Sequence, residues 1–111
     1  MTPVTEEIIK EIRQLLEGAM CRKVLLFGSR VEGRERDDSD VDIIVVLDRY
    51  EPFDSYSDRS SVVLDLRKRL DPVSIDHGLD LIVFTLSEWE SFIDKRSSFA
   101  REIQESALEV A

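Results

Sequence analysis

Residues 27–47 read FGSRVEGRERDDSDVDIIVVL, and the rest of the chain is best read outward from them. The apolar run Val24-Leu25-Leu26-Phe27 leads into Gly28-Ser29-Arg30 and then Gly33. A charged stretch follows, and Asp40 and Asp42 stand two apart at the start of a second apolar run, Ile43 to Leu47. Side chains at i and i+2 of a strand project from one face, so these carboxylates lie side by side at one end of a sheet. Two carboxylates about 5 Å apart, at an effective dielectric of about 20, repel by roughly 3 kcal/mol. Such pairs are relieved by a raised pKa, an arginine or a cation. A bare Asp-x-Asp is commonly a solvated acidic turn. The Gly-Ser-Arg turn upstream and a further acid downstream argue against that here, and point to Mg²⁺ and a phosphate ester.

The flanking sequence supplies the elements that would hold this end together. Thr2-Pro3 is a helix N-cap followed by a first-turn proline. Val4, Ile8, Ile12, Leu15, Leu16 and Ala19 form a helical stripe that stops near Gly18. Residues 23–27 read as the first strand, and Gly28 lets the backbone approach a ligand closely. Ser29 then offers a hydroxyl and an N–H at the start of a short helical turn, a sound phosphate site. Residues 41–47 form a second strand apolar on both faces, hence covered on both. Residues 49–57 read as a loop and 58–70 as a helix broken by Asp71-Pro72. Residues 79–85 form the third strand. Ser87 with Glu90 reads as a capping box opening a helix to about Asp94. Ser97 or Ser98 caps a last helix in which Phe99, Ile103, Ala107 and Val110 recur. The sum is a small α/β domain, residues 1–111, with a mixed β-sheet backed by helices.

Composition narrows the class of partner. A net charge of −9 disfavours stable binding of nucleic acid by this chain alone, because phosphates need lysine and arginine. It suits a basic protein partner instead. The longest aliphatic run, Ile43 to Leu47, falls well short of the roughly 18 residues of a membrane span. The N-terminus lacks a cationic start and an apolar signal core, which points to the cytoplasm. One cysteine, Cys21, and one histidine, His77, make neither a disulfide nor a zinc site.

The string GSRVEGRERDDSDVD resembles the Gly-Ser-x10-Asp-x-Asp motif of the nucleotidyltransferase superfamily that includes DNA polymerase beta. Gly28, Ser29, Arg30, Gly33, Ser39, Asp40 and Asp42 match it position by position. Val31-Glu32 departs from it, since small or basic residues are common there. The resemblance implies a third metal-binding acid on a later strand. Asp80 in GLDLIVFT is the best assignment; Asp76, beside a turn, and Asp65, in a helical pattern, are weaker ones.

Chain length makes it similar to the minimal nucleotidyltransferases (MNT), often paired with a helical HEPN protein. That likeness implies transfer of a nucleoside monophosphate, AMP from ATP, to a partner protein's hydroxyl, by the antitoxin of a HEPN/MNT pair. Asp40, Asp42 and Asp80 would be catalytic and hold two Mg²⁺ ions, with Gly28, Ser29, Arg30 and Ser39 on the nucleotide side. Two other readings stand beside this one. A non-catalytic antitoxin would mask a HEPN-like partner by contact. A small-molecule adenylyltransferase of the antibiotic type generally carries a further helical domain.

Overall fold

Helix α1, Pro3–Leu15, begins as its sequence dictates. The Thr2 hydroxyl accepts the Thr5 N–H at 3.2 Å, and proline occupies the first turn, where its missing N–H costs nothing. The buried face is Thr5, Ile8, Ile9 and Ile12. Val4, expected on that face, is 43% exposed, because the polar Thr5 takes the inward position. This computed structural model describes residues 2–33 and 39–111; the stretch 34–38 of the motif lies outside the described residues.

Strand β1, Cys21–Phe27, runs antiparallel to β2, Val41–Leu47, which lies parallel to β3, Leu79–Phe84. A short β4, Leu108–Glu109, pairs with the other edge of β1, giving the order β3-β2-β1-β4. The mixed sheet backed by helices is therefore as expected. Helices α1, α2 (Tyr56–Arg69) and α3 (Asp71–His77) cover one face, packing Ile8, Ile12, Leu66, Leu70 and Val73 on Val24, Leu26, Ile43, Val45 and Leu81. Helices α4 (Leu86–Asp94) and α5 (Ser98–Ser106) cover the other, packing Trp89, Phe92, Phe99 and Ile103 on Leu25, Phe27, Ile44, Ile82 and Phe84. Both faces of β2 are apolar because both are roofed. Trp89, Phe92 and Phe99 belong to this second core, with Phe84 and Phe92 stacked at 5.0 Å and Phe27 meeting Phe99 edge-on at 5.6 Å.

Three local expectations are corrected. Asp71-Pro72 ends α2 but opens α3, since proline suits a first turn; α3 buries Val73. The capping box of α4 is Thr85 with Glu88, not Ser87 with Glu90. Thr85 is still extended (φ −76°, ψ 169°), so the third helical residue is Glu88. Ala107 and Val110 do not continue the last helix. The chain leaves α5 at Ala107 and joins β1, with the Val110 N–H donating to the Val24 carbonyl at 2.8 Å. Pairing this edge satisfies backbone groups that a longer helix would have left open. The half-buried Cys21 packs against the α1 side, and burial pushes its thiol up against the opposing pull of Arg69.

Candidate active site

The register of the sheet brings the acids together. Phe27 faces Asp42 across the β1/β2 pair, and Asp42 faces Asp80 across the β2/β3 pair. Alternation along the strands puts Asp42 and Asp80 on the α4/α5 face, in line with Ile44 and Ile82. Asp40 precedes β2 and is exposed, as is Asp80, while Asp42 is half-buried. The Asp42 carboxyl is pushed above the usual carboxylate range, first by burial and then by the charges of Asp80 and Asp40. Among the described residues, no three Asp, Glu, His or Cys side chains close around one point tightly enough to enclose a metal ion. The carboxylates instead stand along the strand ends, an arrangement that mutual repulsion favours. Their chemistry suits a hard divalent cation, which would relieve the strain on Asp42.

Gly28 is needed for a reason its motif does not state. Its φ is +81°, and a Cβ there would run into the Asp42 carboxylate, 3.1 Å from its Cγ. The glycine thus gives room to the acid as well as to a ligand. After it the chain turns, with the N–H groups of Val31 and Glu32 both reaching the Gly28 carbonyl at 3.1 Å. Ser29 sits half-buried within this turn. Gly78, in the turn before β3, does for Asp40 what Gly28 does for Asp42. Its φ is also +81°, a Cβ would meet the Asp40 carboxylate, and its carbonyl accepts the Val41 N–H at 3.0 Å. A glycine directly before the strand bearing the third acid was the available signal.

Arg30, expected beside the phosphates, turns inward instead. It is 2% exposed, and its guanidinium donates to the Ser39 carbonyl and the Thr5 hydroxyl. Ser39 stands at the entry to β2, presenting that carbonyl. A groove of about 640 Å³ runs beside the turn between Glu32 and the α5 residues Ser98, Phe99 and Arg101. A separate cleft of about 530 Å³, lined by Tyr50, Arg59, Phe84 and Glu88, lies at the opposite end of β3 from Asp80.

The profile of the family described as Polymerase beta, nucleotidyltransferase, matches residues 7–105. No curated protein sequence matches the chain. Among solved structures, the fold is similar to a chain of a toxin–antitoxin complex with AMP-PNP, at 19% identity and a TM-score of 0.54, covering 93% of this chain and 72% of that one. It is also similar to a Sulfolobus solfataricus protein assigned as a nucleotidyltransferase, at 22% identity and a TM-score of 0.50, covering 96% and 75%. A toxin–antitoxin MntA-HepT chain aligns more loosely, at 16% identity and a TM-score of 0.48, covering 96% and 71%. With the motif, the sheet register and a family match over most of its length, the chain belongs to the polymerase beta nucleotidyltransferase family.

Proposed function

We propose that this protein transfers AMP from ATP to a hydroxyl of a partner protein, as the MNT antitoxin of a HEPN/MNT pair. The observation that carries this reading is the facing of Asp42 and Asp80 across β2 and β3, beside Asp40 and the Gly28 turn. The toxin–antitoxin chain with AMP-PNP among the similar folds supports the choice of an adenine nucleotide and a protein partner. So does the net charge of −9, which favours a basic protein over nucleic acid. Use of ATP goes with a cytoplasmic protein, and no helix among the described residues is long and apolar enough to cross a membrane.

In this reading Asp40, Asp42 and Asp80 would hold two Mg²⁺ ions, which would supply a lower pKa for the acceptor hydroxyl and charge neutralisation for the triphosphate. The Gly28–Ser29 turn offers backbone N–H groups and the Ser29 hydroxyl to the outer phosphates. Asp80, the most exposed edge of the site with Asp40, takes the acceptor's proton. The acceptor oxygen bonds to the α-phosphorus as the bond to the β-phosphate oxygen breaks, and pyrophosphate leaves. The groove between Glu32 and α5 is open beside the turn and leaves room for a segment of another chain.

The test is to mix the protein with the helical product of a neighbouring gene, ATP and Mg²⁺, and weigh both chains by mass spectrometry. One AMP mass, or a small multiple, is expected on the partner and none on this chain. The Asp40→Asn/Asp42→Asn double variant should leave the partner unmodified. If that variant binds and neutralises the partner as well as the wild type, masking by contact replaces transfer as the function.

A further inference from the structure

Arg30 is the largest fully buried side chain among the described residues, yet it belongs to the motif read as facing the phosphates. Its Nε and Nη2 donate to the Ser39 carbonyl at 3.2 and 2.7 Å, and its Nη1 donates to the Thr5 hydroxyl at 3.2 Å. That carbonyl belongs to the peptide group joining Ser39 to Asp40, so the guanidinium grips the backbone from which the Asp40 side chain springs. Thr5 is itself fully buried, and its hydroxyl accepts from the Thr2 hydroxyl at 3.1 Å, within the cap of α1. On the far side of the same strand entry, the Val41 N–H is held by the Gly78 carbonyl. To reach a phosphate, the guanidinium would have to break its bonds to Ser39 and Thr5 and leave the interior.

We propose that Arg30 is a positioning residue, a buried latch that ties the start of the Asp40–Asp42 strand to the Gly28 turn and to α1, and so sets where the Asp40 carboxylate stands. The proposal rests on the reading of Asp40 as a metal ligand, and adds a role for Arg30 and Thr5 that involves no contact with the nucleotide. The planar fork of arginine can span a carbonyl and a hydroxyl at once, whereas a lysine ammonium is a point charge on a flexible stem. Partners that orient a metal ligand typically change metal affinity by 10- to 100-fold when lost.

The experiment compares the wild-type chain with Arg30→Lys, Arg30→Gln and Thr5→Val. It reads Mn²⁺ affinity by electron paramagnetic resonance, KM for ATP and kcat for transfer to the partner, and the melting temperature. For Arg30→Lys we expect Mn²⁺ affinity and kcat to fall together by about tenfold, with KM for ATP within about twofold. Thr5→Val, on a helix away from the nucleotide, should show a weaker loss of the same kind and keeps the test open if Arg30→Gln fails to fold. A tenfold rise in KM for ATP with Mn²⁺ affinity intact would make Arg30 a phosphate contact and overturn the latch. A lowered melting temperature with metal affinity and kcat unchanged would overturn it too, leaving a purely structural arginine. Wild-type protein that binds Mn²⁺ while all three variants match it sinks the latch alone. Wild-type protein that binds no Mn²⁺ sinks the metal-dependent function and the latch with it.

Discussion

The two ends of strand β3 treat a carboxylate in opposite ways. At the Asp80 end, Asp42 faces Asp80 with Asp40 nearby, and Asp42 is pushed above the usual range by burial and then by these acidic neighbours. At the Phe84 end, burial also pushes Glu88 up, but its bonds to the Thr85 backbone N–H and to Arg59 outweigh burial and bring it below the usual range. Arg59 reaches both Glu88 oxygens at 2.9 Å and also the Val83 carbonyl, while its guanidinium lies over the Phe53 ring. The Glu88 end is complete within the chain. The Asp80 end is costly on its own, and a cation supplied from outside would relieve it. The same chemical group, a carboxylate, thus serves stability at one end and, in our reading, chemistry at the other.

The largest effect expected from breaking this contrast is at Asp42. Asp42→Asn should lower transfer by at least roughly 10²-fold, because electrostatic stabilisation by metals supplies most of the catalysis in such a site. Its melting temperature should hold or rise as repulsion from Asp80 and Asp40 is removed. Steady-state transfer and thermal unfolding on one preparation check both signs, and retained activity would remove Asp42 from the site.

The glycines sharpen the comparison. Gly28→Ala should displace the Asp42 carboxylate and strain a backbone at φ +81°, with a loss of activity of up to about 10²-fold, as small misplacements of reacting groups produce. Gly78→Ala should act in the same way through Asp40, more mildly because Asp40 is exposed and can give way. Parallel assays of transfer and Mn²⁺ binding would show whether the two losses share a metal origin. Full activity in both variants would mean that the glycines serve the turns only.

The smallest effect lies at the other end, and in stability alone. Glu88→Ala removes half of the capping box and the Arg59 pair, and should cost about 1 kcal/mol with transfer unchanged. Because folding lowers the Glu88 pKa, its contribution is full above the ordinary glutamate range and is lost as pH falls through the depressed value. Asp42 runs the other way. Its raised pKa makes the ionised form a cost that appears as pH rises out of the acid range, so acid relieves that end while it weakens the other. Denaturant melts of wild type, Glu88→Ala and Asp42→Asn from about pH 3.5 to pH 7 should separate the two slopes. Parallel curves for all three would contradict both assignments.

Much of this site was legible because it is local. Gly28, Ser29, Asp40 and Asp42 lie within one stretch, and a spacing of two residues at the entry to β2 keeps the charge of Asp40 close enough to act on Asp42. The apolar runs of β1, β2 and β3 and the Thr2-Pro3 cap were equally readable from short-range pattern. The misreadings were at positions where two local signals compete. Phe99, Ile103, Ala107 and Val110 keep a helical period, yet the chain leaves the helix to pair with the open edge of β1 through Leu108, Glu109 and the Val110 N–H, because unpaired backbone groups cost more than a short helix gains. Ser87 and Glu90 have the spacing of a capping box, but the box forms where the extended strand actually ends, at Thr85.

By itself, then, the sequence determined the motif, the class of fold and the closeness of Asp40 to Asp42. Tertiary structure alone decided what depends on distant segments meeting. It set Asp80 level with Asp42 through the parallel register of β2 and β3. It placed Gly78 beneath Asp40, and it drew Arg30 into the interior to meet Thr5 and Ser39. The reason is physical. A side chain's neighbours along the strand are fixed by backbone geometry, but whether a charged group faces solvent or is buried depends on hydrogen-bond partners from elements far away in the chain.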